Sequence, residues 1–180
     1  MPHDHRFAPV IAEGRKRGRQ ASSSSIPEPF DARLPTPFAV VGIRTRGEML
    51  TGIEYLPQGV ALLAPTNRLA AKACRQIERY VDDPDFPFDL PYEFVGTDFQ
   101  CRVWRVICSI PRGRTLTYLD IARRLESAPR PVGRACGANR LPLVIPCHRV
   151  VSSHGVGGFM NARGGAPLEI KKWLLCHEGA

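Results

Sequence analysis

The most reactive-looking feature of this 180-residue sequence is a cysteine followed directly by a histidine, Cys147-His148. Cysteine acts as a nucleophile in its thiolate form, and a nearby imidazole favours that form. An apolar run, Leu143–Ile145, precedes the pair and stops at Pro146, which predicts a strand ending at the cysteine. Adjacent side chains on a strand point to opposite faces, so contact within the pair requires an irregular turn or an intervening water. A buried cysteine beside a hydrogen-bonded histidine is the alternative that the dipeptide alone leaves open.

The charge of the chain is unevenly distributed. The net charge is +8 overall, with +3 on residues 1–20, −3 on residues 21–95 and +8 on residues 96–180. So basic a C-terminal half favours a polyanionic partner, nucleic acid first, although a solvated basic surface accounts equally well for charge alone. The six cysteines form no Cys-x-x-Cys pair, so neither a zinc ribbon nor a disulfide framework is predicted.

No part of the sequence predicts membrane insertion or secretion. Apolar runs stay well short of the ~18 residues that span a bilayer. The polar N-terminus lacks the apolar centre of a signal peptide, so we expect a cytoplasmic protein.

The N-terminal half is predicted to be a tail followed by a small domain of strands and a helix. Residues 1–35, rich in Ser, Pro and basic side chains, are predicted to be a disordered basic tail. Three apolar runs predict an antiparallel meander, at residues 38–43, 49–56 and 60–63. Residues 67–81 predict a helix whose buried face carries Leu69, Ala73, Ile77 and Tyr80. The acidic, proline-rich stretch 82–91 predicts a linker, giving an α/β domain with its linker at 36–90 and a second domain at 91–180.

The second half is predicted to be mainly helical. An apolar stripe from Phe99 to Ile110 ends at Pro111, and Thr117-x-x-Asp120 is typical of a helix start. Pro131 fits the first turn of a further helix running to about Asn139, and Pro167 opens a last helix. Two short helices with a tight break, the second carrying arginines, resemble a helix-turn-helix, a weak signal by itself.

The residues around Cys147-His148 resemble a known active site. Ile145–Val150 reads Ile-Pro-Cys-His-Arg-Val, which resembles the signature of the O6-alkylguanine-DNA alkyltransferases, also called methylated-DNA–protein-cysteine methyltransferases. Three further segments follow that family's pattern in its order: Gly96–Trp104, Ile110–Tyr118 and Trp173–Gly179. The resemblance covers residues 95–180 densely and residues 37–94 only by general pattern.

This resemblance implies roles for five residues. Cys147 would accept the alkyl group, and His148 would act through a water as the base. Glu178 would orient His148, where an ordinary exposed carboxylate is the alternative. Asn139 would be the hinge between recognition helix and active-site loop rather than a plain helix cap. Tyr118 would help rotate the nucleotide and donate a proton toward guanine; without the resemblance it would be a packing residue at a helix start.

Two arginines compete for the role of the side chain that enters the DNA stack. Arg134 begins Arg-Ala-Cys-Gly, superficially like the family's Arg-Ala-Val-Gly. Arg130, however, stands 17 residues before Cys147, the family's spacing, and this register also aligns Asn139 without a gap. We therefore expect Arg130 to intercalate and Arg134 to contact phosphate from a position that usually holds a small residue.

The resemblance also implies a substrate pocket, formed by Pro142, Val150, Phe159 and Met160, with backbone carbonyls near Cys147 and Val150 accepting from the guanine amino group. Phe159 replaces a common tyrosine, and the segment from Phe159 to Pro167 is longer than usual. These departures leave the preference for alkyl size open.

The implied fold is α+β: a small ribonuclease-H-like sheet-plus-helix domain, then a mainly helical, winged-helix-like domain with a helix-turn-helix. The implied function is repair of O6-alkylguanine by base flipping and a single irreversible transfer to Cys147. We expect a monomer that acts on the minor groove of double-stranded DNA, with no metal or organic cofactor. The alternative is a non-catalytic minor-groove binding or lesion-sensing protein, against which the cysteine argues.

Overall fold

The computed structural model describes residues 29–180. These residues form a mixed α/β fold with a small antiparallel sheet, two short parallel strands and five α-helices. The strands are β1 (Ala32–Pro35), β2 (Val40–Arg46), β3 (Met49–Leu56), β4 (Leu116–Thr117) and β5 (Val150–Val151). The helices are α1 (Arg68–Asp82), α2 (Asp98–Cys108), α3 (Tyr118–Arg124), α4 (Pro129–Gly137) and α5 (Ala166–Glu178). Within residues 29–180, no helix has the length and apolar character needed to cross a membrane.

The N-terminal sheet has the order β1-β2-β3, with both pairs antiparallel and a register shift at Arg44/Thr45. Strands β2 and β3 confirm the first two runs of the predicted meander, and α1 confirms the predicted helix. Asn67 caps α1 by accepting from the Ala70 amide at 2.8 Å, and the apolar stripe of the helix is buried. The apolar face of the sheet, which carries Ile43, Ile53 and Tyr55, is buried in the core, whereas the other face carries the Arg44–Glu54 ion pair.

Two N-terminal predictions were wrong. The predicted tail 1–35 extends too far, because β1 pairs with β2 and buries Ala32; residues 1–28 of that tail lie outside the described part of the chain. The run 60–63 is not a strand: Leu63 forms a single bridge with Arg33, while Leu62 is 57% exposed. The third strand of the meander is thus β1, whose four residues carry too little pattern to be recognised without their partner strand.

The C-terminal helices begin where the sequence predicts. Capping boxes start α2 at Thr97 with Gln100 and α3 at Thr117 with Asp120. Helix α4 opens with proline in its first turn, and the Trp104 indole of α2 donates to Ala135 O of α4 at 2.9 Å. Helices α2, α3 and α4 therefore form one packed group that presents α4 to the surface.

The predicted strand before the cysteine was also wrong. Residues 141–146 are a series of turns, and Leu143 adopts a left-handed φ of 73°. A one-turn 3-10 helix then covers Cys147–Arg149, and only β5 returns to extended backbone, parallel to β4. A strand's alternation does not apply here, so the irregular turn that contact between Cys147 and His148 requires is present.

The two halves of the chain pack closely. The predicted linker is not an open connection, because Leu90 is buried and the Leu50 amide donates to Pro91 O at 2.9 Å. Strand β3 also touches the turns before the cysteine, where the Ile53 amide donates to Arg140 O at 2.8 Å. The N-terminal sheet thus lies directly behind the reactive cysteine.

Candidate functional site

Asn139 holds the reactive loop in place. It follows α4, and its Nδ2 donates to Ile145 O at 2.9 Å and to Cys147 Sγ at 3.2 Å, while its Oδ1 accepts from the Leu141 amide at 2.9 Å. These hydrogen bonds hold the turns at residues 141–146 in place of the backbone bonds that a neighbouring strand would supply. One side chain therefore joins the end of α4, the turn and the thiol.

His148 is held by a buried carboxylate. Its Nε2 lies 2.9 Å from Glu178 Oε1, and both side chains are essentially inaccessible. Glu178 also accepts from Tyr80 OH at 2.8 Å and from Arg149 Nε and Nη2 at 2.8 and 2.9 Å. Arg149 is fixed in turn by donating to Ile110 O at 2.7 Å. Helices α1 and α5 and the 3-10 turn thus converge on one carboxylate whose hydrogen-bonding capacity is filled.

The protonation states of this cluster follow from its geometry. Glu178 is buried, which raises a carboxyl pKa, but the hydrogen bonds and charges of His148 and Arg149 outweigh burial and hold its pKa well below the usual range. Burial lowers the pKa of His148, so the imidazole is neutral at physiological pH. A carboxylate only accepts, so Nε2 carries the proton and Nδ1 presents its lone pair. His148 Nδ1 is buried and has no hydrogen-bond partner among the described residues.

Cys147 is a protonated thiol at rest. Its side chain is buried, and burial raises its pKa above the ordinary value, opposed by the Asn139 hydrogen bond and the positive charge of Lys171. A thiol in this state needs a base when it reacts. The neutral His148, with a free Nδ1, is the group of suitable type next to it.

A cavity of about 570 Å³ opens beside Cys147. Its walls come from three elements: the start of α3, the exposed side of α4 and the loop before α5. The lining includes three arginines and, within residues 29–180, no acidic side chain; the arginines are Arg130, Arg134 and Arg163. Cys136 lines the same cavity, and burial raises the pKa of its thiol to about 12. An electropositive space of this size beside a buried thiol accommodates an anionic or nucleic-acid ligand.

The loop before α5 packs directly on α4. Asn161 Nδ2 donates to Gly137 O at 3.2 Å, and a Cβ on Gly137 would lie 1.9 Å from Asn161 Oδ1. Glycine at position 137 is therefore what permits the close approach. The long segment 159–167 becomes a cavity wall because of this contact.

A buried lysine lies under the site. Lys171 of α5 is fully buried, and its Nζ donates to Val150 O at 2.5 Å and to Gly158 O at 3.0 Å. Burial lowers its pKa to about 8, opposed by the nearby thiols of Cys147 and Cys136. The ammonium ties β5 to the cavity loop and supplies positive charge to the thiol. Within residues 29–180, no group of three or more Cys, His, Asp or Glu side chains is placed to hold a metal.

Comparison with known proteins identifies this arrangement. The family model described as the DNA-binding domain of 6-O-methylguanine DNA methyltransferase matches residues 98–180. A methylated-DNA–protein-cysteine methyltransferase from Archaeoglobus fulgidus is 41% identical over 106 residues, covering 58% of this chain and 72% of that protein. The chain belongs to the methylated-DNA–protein-cysteine methyltransferase family. The inducible methyltransferase of that name from Bacillus subtilis is 40% identical over 102 residues, covering 56% of this chain and 55% of that protein.

Solved structures of methyltransferases extend the likeness to the N-terminal half. The crystal structure of the Mycobacterium tuberculosis O6-methylguanine methyltransferase aligns with a TM-score of 0.70 and 29% identity, over 84% of this chain and 92% of that one. A structure of the Mycobacterium tuberculosis protein in complex with DNA aligns with a TM-score of 0.68 over 82% of this chain. The chain nevertheless spans little more than half the length of several curated methyltransferases that it matches.

Most residues singled out from the methyltransferase resemblance meet in this site. Cys147, His148, Glu178 and Asn139 form the hydrogen-bonded cluster, and the cavity beside it is lined by Tyr118, Arg130, Arg134, Phe159 and Met160. Tyr118 OH donates to Gly158 O at 3.0 Å, and burial raises its pKa to about 12. Pro142 and Val150 are buried and are not among the residues that line the cavity, and the Val150 carbonyl already accepts from Lys171.

Three residues of this site were given no role from the sequence: Lys171, Arg149 and Tyr80. Lys171 and Glu178 lie on the buried face of α5 together with Leu174, at helical spacing, and charged residues on an apolar stripe signal a paired interior group. Arg149 is part of the signature, but the sequence alone gives it no role. Tyr80 carries no local signal, because its hydroxyl reaches a partner 98 residues away.

Proposed function

We propose that this chain repairs O6-alkylguanine, chiefly O6-methylguanine, in duplex DNA by transferring the alkyl group once and irreversibly to Cys147 Sγ. The observation that carries the proposal is a buried thiol at a basic cavity, next to a neutral histidine whose Nδ1 is free and whose Nε2–H is held by Glu178. Membership of the methyltransferase family supports the reaction type, as do the names of its relatives.

The chemistry is a displacement at carbon. The thiol proton passes to His148 Nδ1, and the imidazolium that forms is stabilised by Glu178. The thiolate attacks the alkyl carbon, the bond from that carbon to guanine O6 breaks, and the guanine takes a proton from Tyr118. Because burial raises the pKa of Tyr118 to about 12, its phenolate then regains a proton from water, and the His148 imidazolium releases one. The product is a thioether, which is a poor leaving group, so each molecule reacts once.

The DNA-binding side of the proposal rests on α4. Arg130 and Arg134 are both exposed on this helix and both line the cavity. We assign Arg130 to the space left by the flipped nucleotide and Arg134 to a phosphate, with α4 in the minor groove of double-stranded DNA and the protein acting as a monomer. The target base then enters the cavity from the α4 side.

The finer description of the fold belongs to the same proposal. We assign the sheet with α1 to a ribonuclease-H-like domain at 36–90, extended by β1. Residues 91–180 form the winged-helix-like unit, in which α3 and α4 are the helix-turn-helix. The short break between these two helices and the β4–β5 pair beside them support this assignment.

Mass spectrometry tests the function directly. After incubation with a duplex containing O6-methylguanine, the protein should gain one methyl group, and peptide mapping should place it on Cys147. Cys147→Ser should bind the lesion duplex and remove nothing. Cys136→Ser is the matched control, because Cys136 lines the same cavity, and it should still react. Methylation of Cys136 in the wild type would overturn the assignment, and binding without any methyl gain would indicate a lesion-sensing protein.

A further inference from the structure

The N-terminal sheet brings a tyrosine to the back of the reactive site. Tyr55 lies on the buried face of β3, two residues after Ile53, whose amide bonds the turn that carries the reactive loop. Its ring is 5.7 Å from that of Phe38 in an edge arrangement and 6.1 Å from that of Phe159, which lines the cavity with Cys147. The residue is 8% exposed. Its phenol is thus enclosed between the sheet and the cavity wall.

The Tyr55 hydroxyl has no protein partner among the described residues. Within residues 29–180, four buried side-chain atoms are in this position: Arg33 Nε, Thr51 Oγ1, Tyr55 OH and His148 Nδ1. Two of these four lie near Cys147: His148 follows it in the 3-10 turn, and Tyr55 packs on Phe159, which lines the same cavity, and is affected by charge on Cys147. Buried polar groups are almost always paired, and a buried water typically joins about three of them. Two orphaned atoms beside a thiol that must lose its proton suggest a shared partner.

We propose that the Tyr55 hydroxyl is a positioning group of the alkyl-transfer reaction: together with His148 Nδ1 it holds the water that takes the proton from Cys147. This inference rests on the proposed function. The water accepts from Cys147 Sγ–H and from Tyr55 OH and donates to His148 Nδ1. On reaction the sulfur–hydrogen bond breaks and that proton joins the water, while a water proton forms the new bond to Nδ1. The water ends unchanged, donating to the thiolate and accepting from the imidazolium and Tyr55.

The electrostatics of the phenol agree with this placement. Burial raises the pKa of Tyr55 well above its ordinary value, and the negative charge of a Cys147 thiolate raises it further, followed by those of Tyr80 and Glu178. Tyr55 therefore remains a neutral donor throughout the reaction. The titratable and charged groups that surround this path are Cys147, His148, Glu178, Tyr80, Arg149, Lys171, Cys108, Cys136 and Tyr118.

Tyr55→Phe removes the hydroxyl and keeps the ring contacts. The rate at which iodoacetamide modifies Cys147 is measured by peptide mass spectrometry across the neutral and alkaline range, beside methyl transfer and thermal unfolding. We expect the apparent thiol pKa to rise by roughly half to one pH unit and transfer at neutral pH to slow roughly three- to tenfold. Tyr92→Phe is the matched control, since the Tyr92 hydroxyl contacts Cys108 Sγ at 3.9 Å. The iodoacetamide profile of Cys147 and the rate of methyl transfer should both be unchanged in this variant.

The outcomes separate this inference from the function on which it rests. An unchanged pH profile in Tyr55→Phe, with equal or higher stability, means that the hydroxyl is merely tolerated and overturns the inference. A shifted iodoacetamide profile in a protein that removes no methyl group supports the proton path and rejects the repair function. If Tyr55→Phe does not fold, a high-resolution crystal structure of the wild type decides: a water bonded to Tyr55 OH, His148 Nδ1 and Cys147 Sγ supports the proposal, and a water bonded to His148 alone contradicts it.

Discussion

Replacing Glu178 by Gln should separate the charge of this carboxylate from its shape. Glu178 is buried and accepts four hydrogen bonds, two of them from Arg149, whose side chain is 15% exposed. Glutamine retains one acceptor oxygen but turns an amide donor toward the cluster and leaves the guanidinium without an anion. Removing one partner of a buried ion pair costs about 3–5 kcal/mol, and the partial exposure of Arg149 favours the lower end. A loss of about 3 kcal/mol lowers the Tm of a chain of this size by roughly 6–12 °C.

The same substitution should slow the chemistry. A hydrogen bond from an imidazolium to a carboxylate is worth about 1.5–3 kcal/mol, so losing its charge should reduce methyl transfer by roughly 10- to 100-fold. Rapid-quench transfer from an O6-methylguanine duplex and thermal unfolding at neutral pH measure the two effects. Glu169→Gln is the matched control, since this exposed carboxylate of the same helix forms a surface pair with Lys172 at 2.9 Å. Equal Tm values and equal transfer rates in the two variants would refute the reasoning.

Lowering the pH should remove the stability that the charge of Glu178 contributes to the fold. The folded-state pKa of Glu178 is depressed, so its contribution to stability is fully present above the ordinary glutamate pKa of about 4.3 and is lost as the pH falls below it. The difference in unfolding free energy between wild type and Glu178→Gln should therefore narrow as the pH falls from about 4.3. His148, buried and neutral, adds a loss that begins as the pH falls below about 6.5. If the difference in unfolding free energy between wild type and Glu178→Gln grew as the pH fell, this account of the Glu178 charge would be wrong.

Two further comparisons use paired variants. Arg130→Ala should reduce methyl transfer from duplex DNA by roughly tenfold or more, while its reaction with the free base O6-benzylguanine should be unchanged. Arg134→Ala should weaken DNA binding across all sequences and reduce the salt dependence of binding by about one charge. A defect confined to duplex DNA in Arg134→Ala alone would reverse the assignment of the two arginines. Lys171→Met should raise the apparent pKa of Cys147 and slow methyl transfer at neutral pH, because the lysine lowers that pKa and bonds both Val150 O and Gly158 O. Lys172→Met, on the exposed side of α5, is the control and should change neither quantity. Iodoacetamide titration of Cys147 measures the pKa in both variants.

The elements that the sequence predicts well are those with local causes. Helices α2 and α3 begin at capping boxes that are legible in the chain, and α1 buries the stripe that its spacing specifies. Strand β1 and the turns after Asn139 were missed because their conformation depends on distant partners. An apolar run such as Leu143–Ile145 has the composition of a strand, but the Asn139 side chain takes the bonds that a neighbouring strand would supply.

The residues of the candidate site likewise differ in whether the local sequence marks them. Cys147 and His148 are adjacent and were visible at once, whereas Glu178 and Asn139 were assigned through the family resemblance rather than by spacing. Tyr80 and Tyr55 come from the other half of the chain, and nothing in their local sequence marks them. Lys171 is marked in the sequence, because it places a charge on the apolar stripe of a helix.

The contacts between Tyr80 and the end of α5 have a consequence for folding kinetics. Tyr80 OH bonds Glu178, and His177 Nε2 donates to Tyr80 O at 2.7 Å, across sequence separations of 98 and 97 residues. Closing a loop of that length costs about 4 kcal/mol of chain entropy, so such contacts form late. Until they form, the N-terminal sheet does not cover the back of the turn that carries Cys147, where the Ile53 amide donates to Arg140 O. A reactive cysteine that is not enclosed is open to peroxides and other oxidants. Docking of the two halves therefore protects the sulfur from oxidation, because it places the sheet behind the site and adds the Tyr80 hydrogen bond to Glu178.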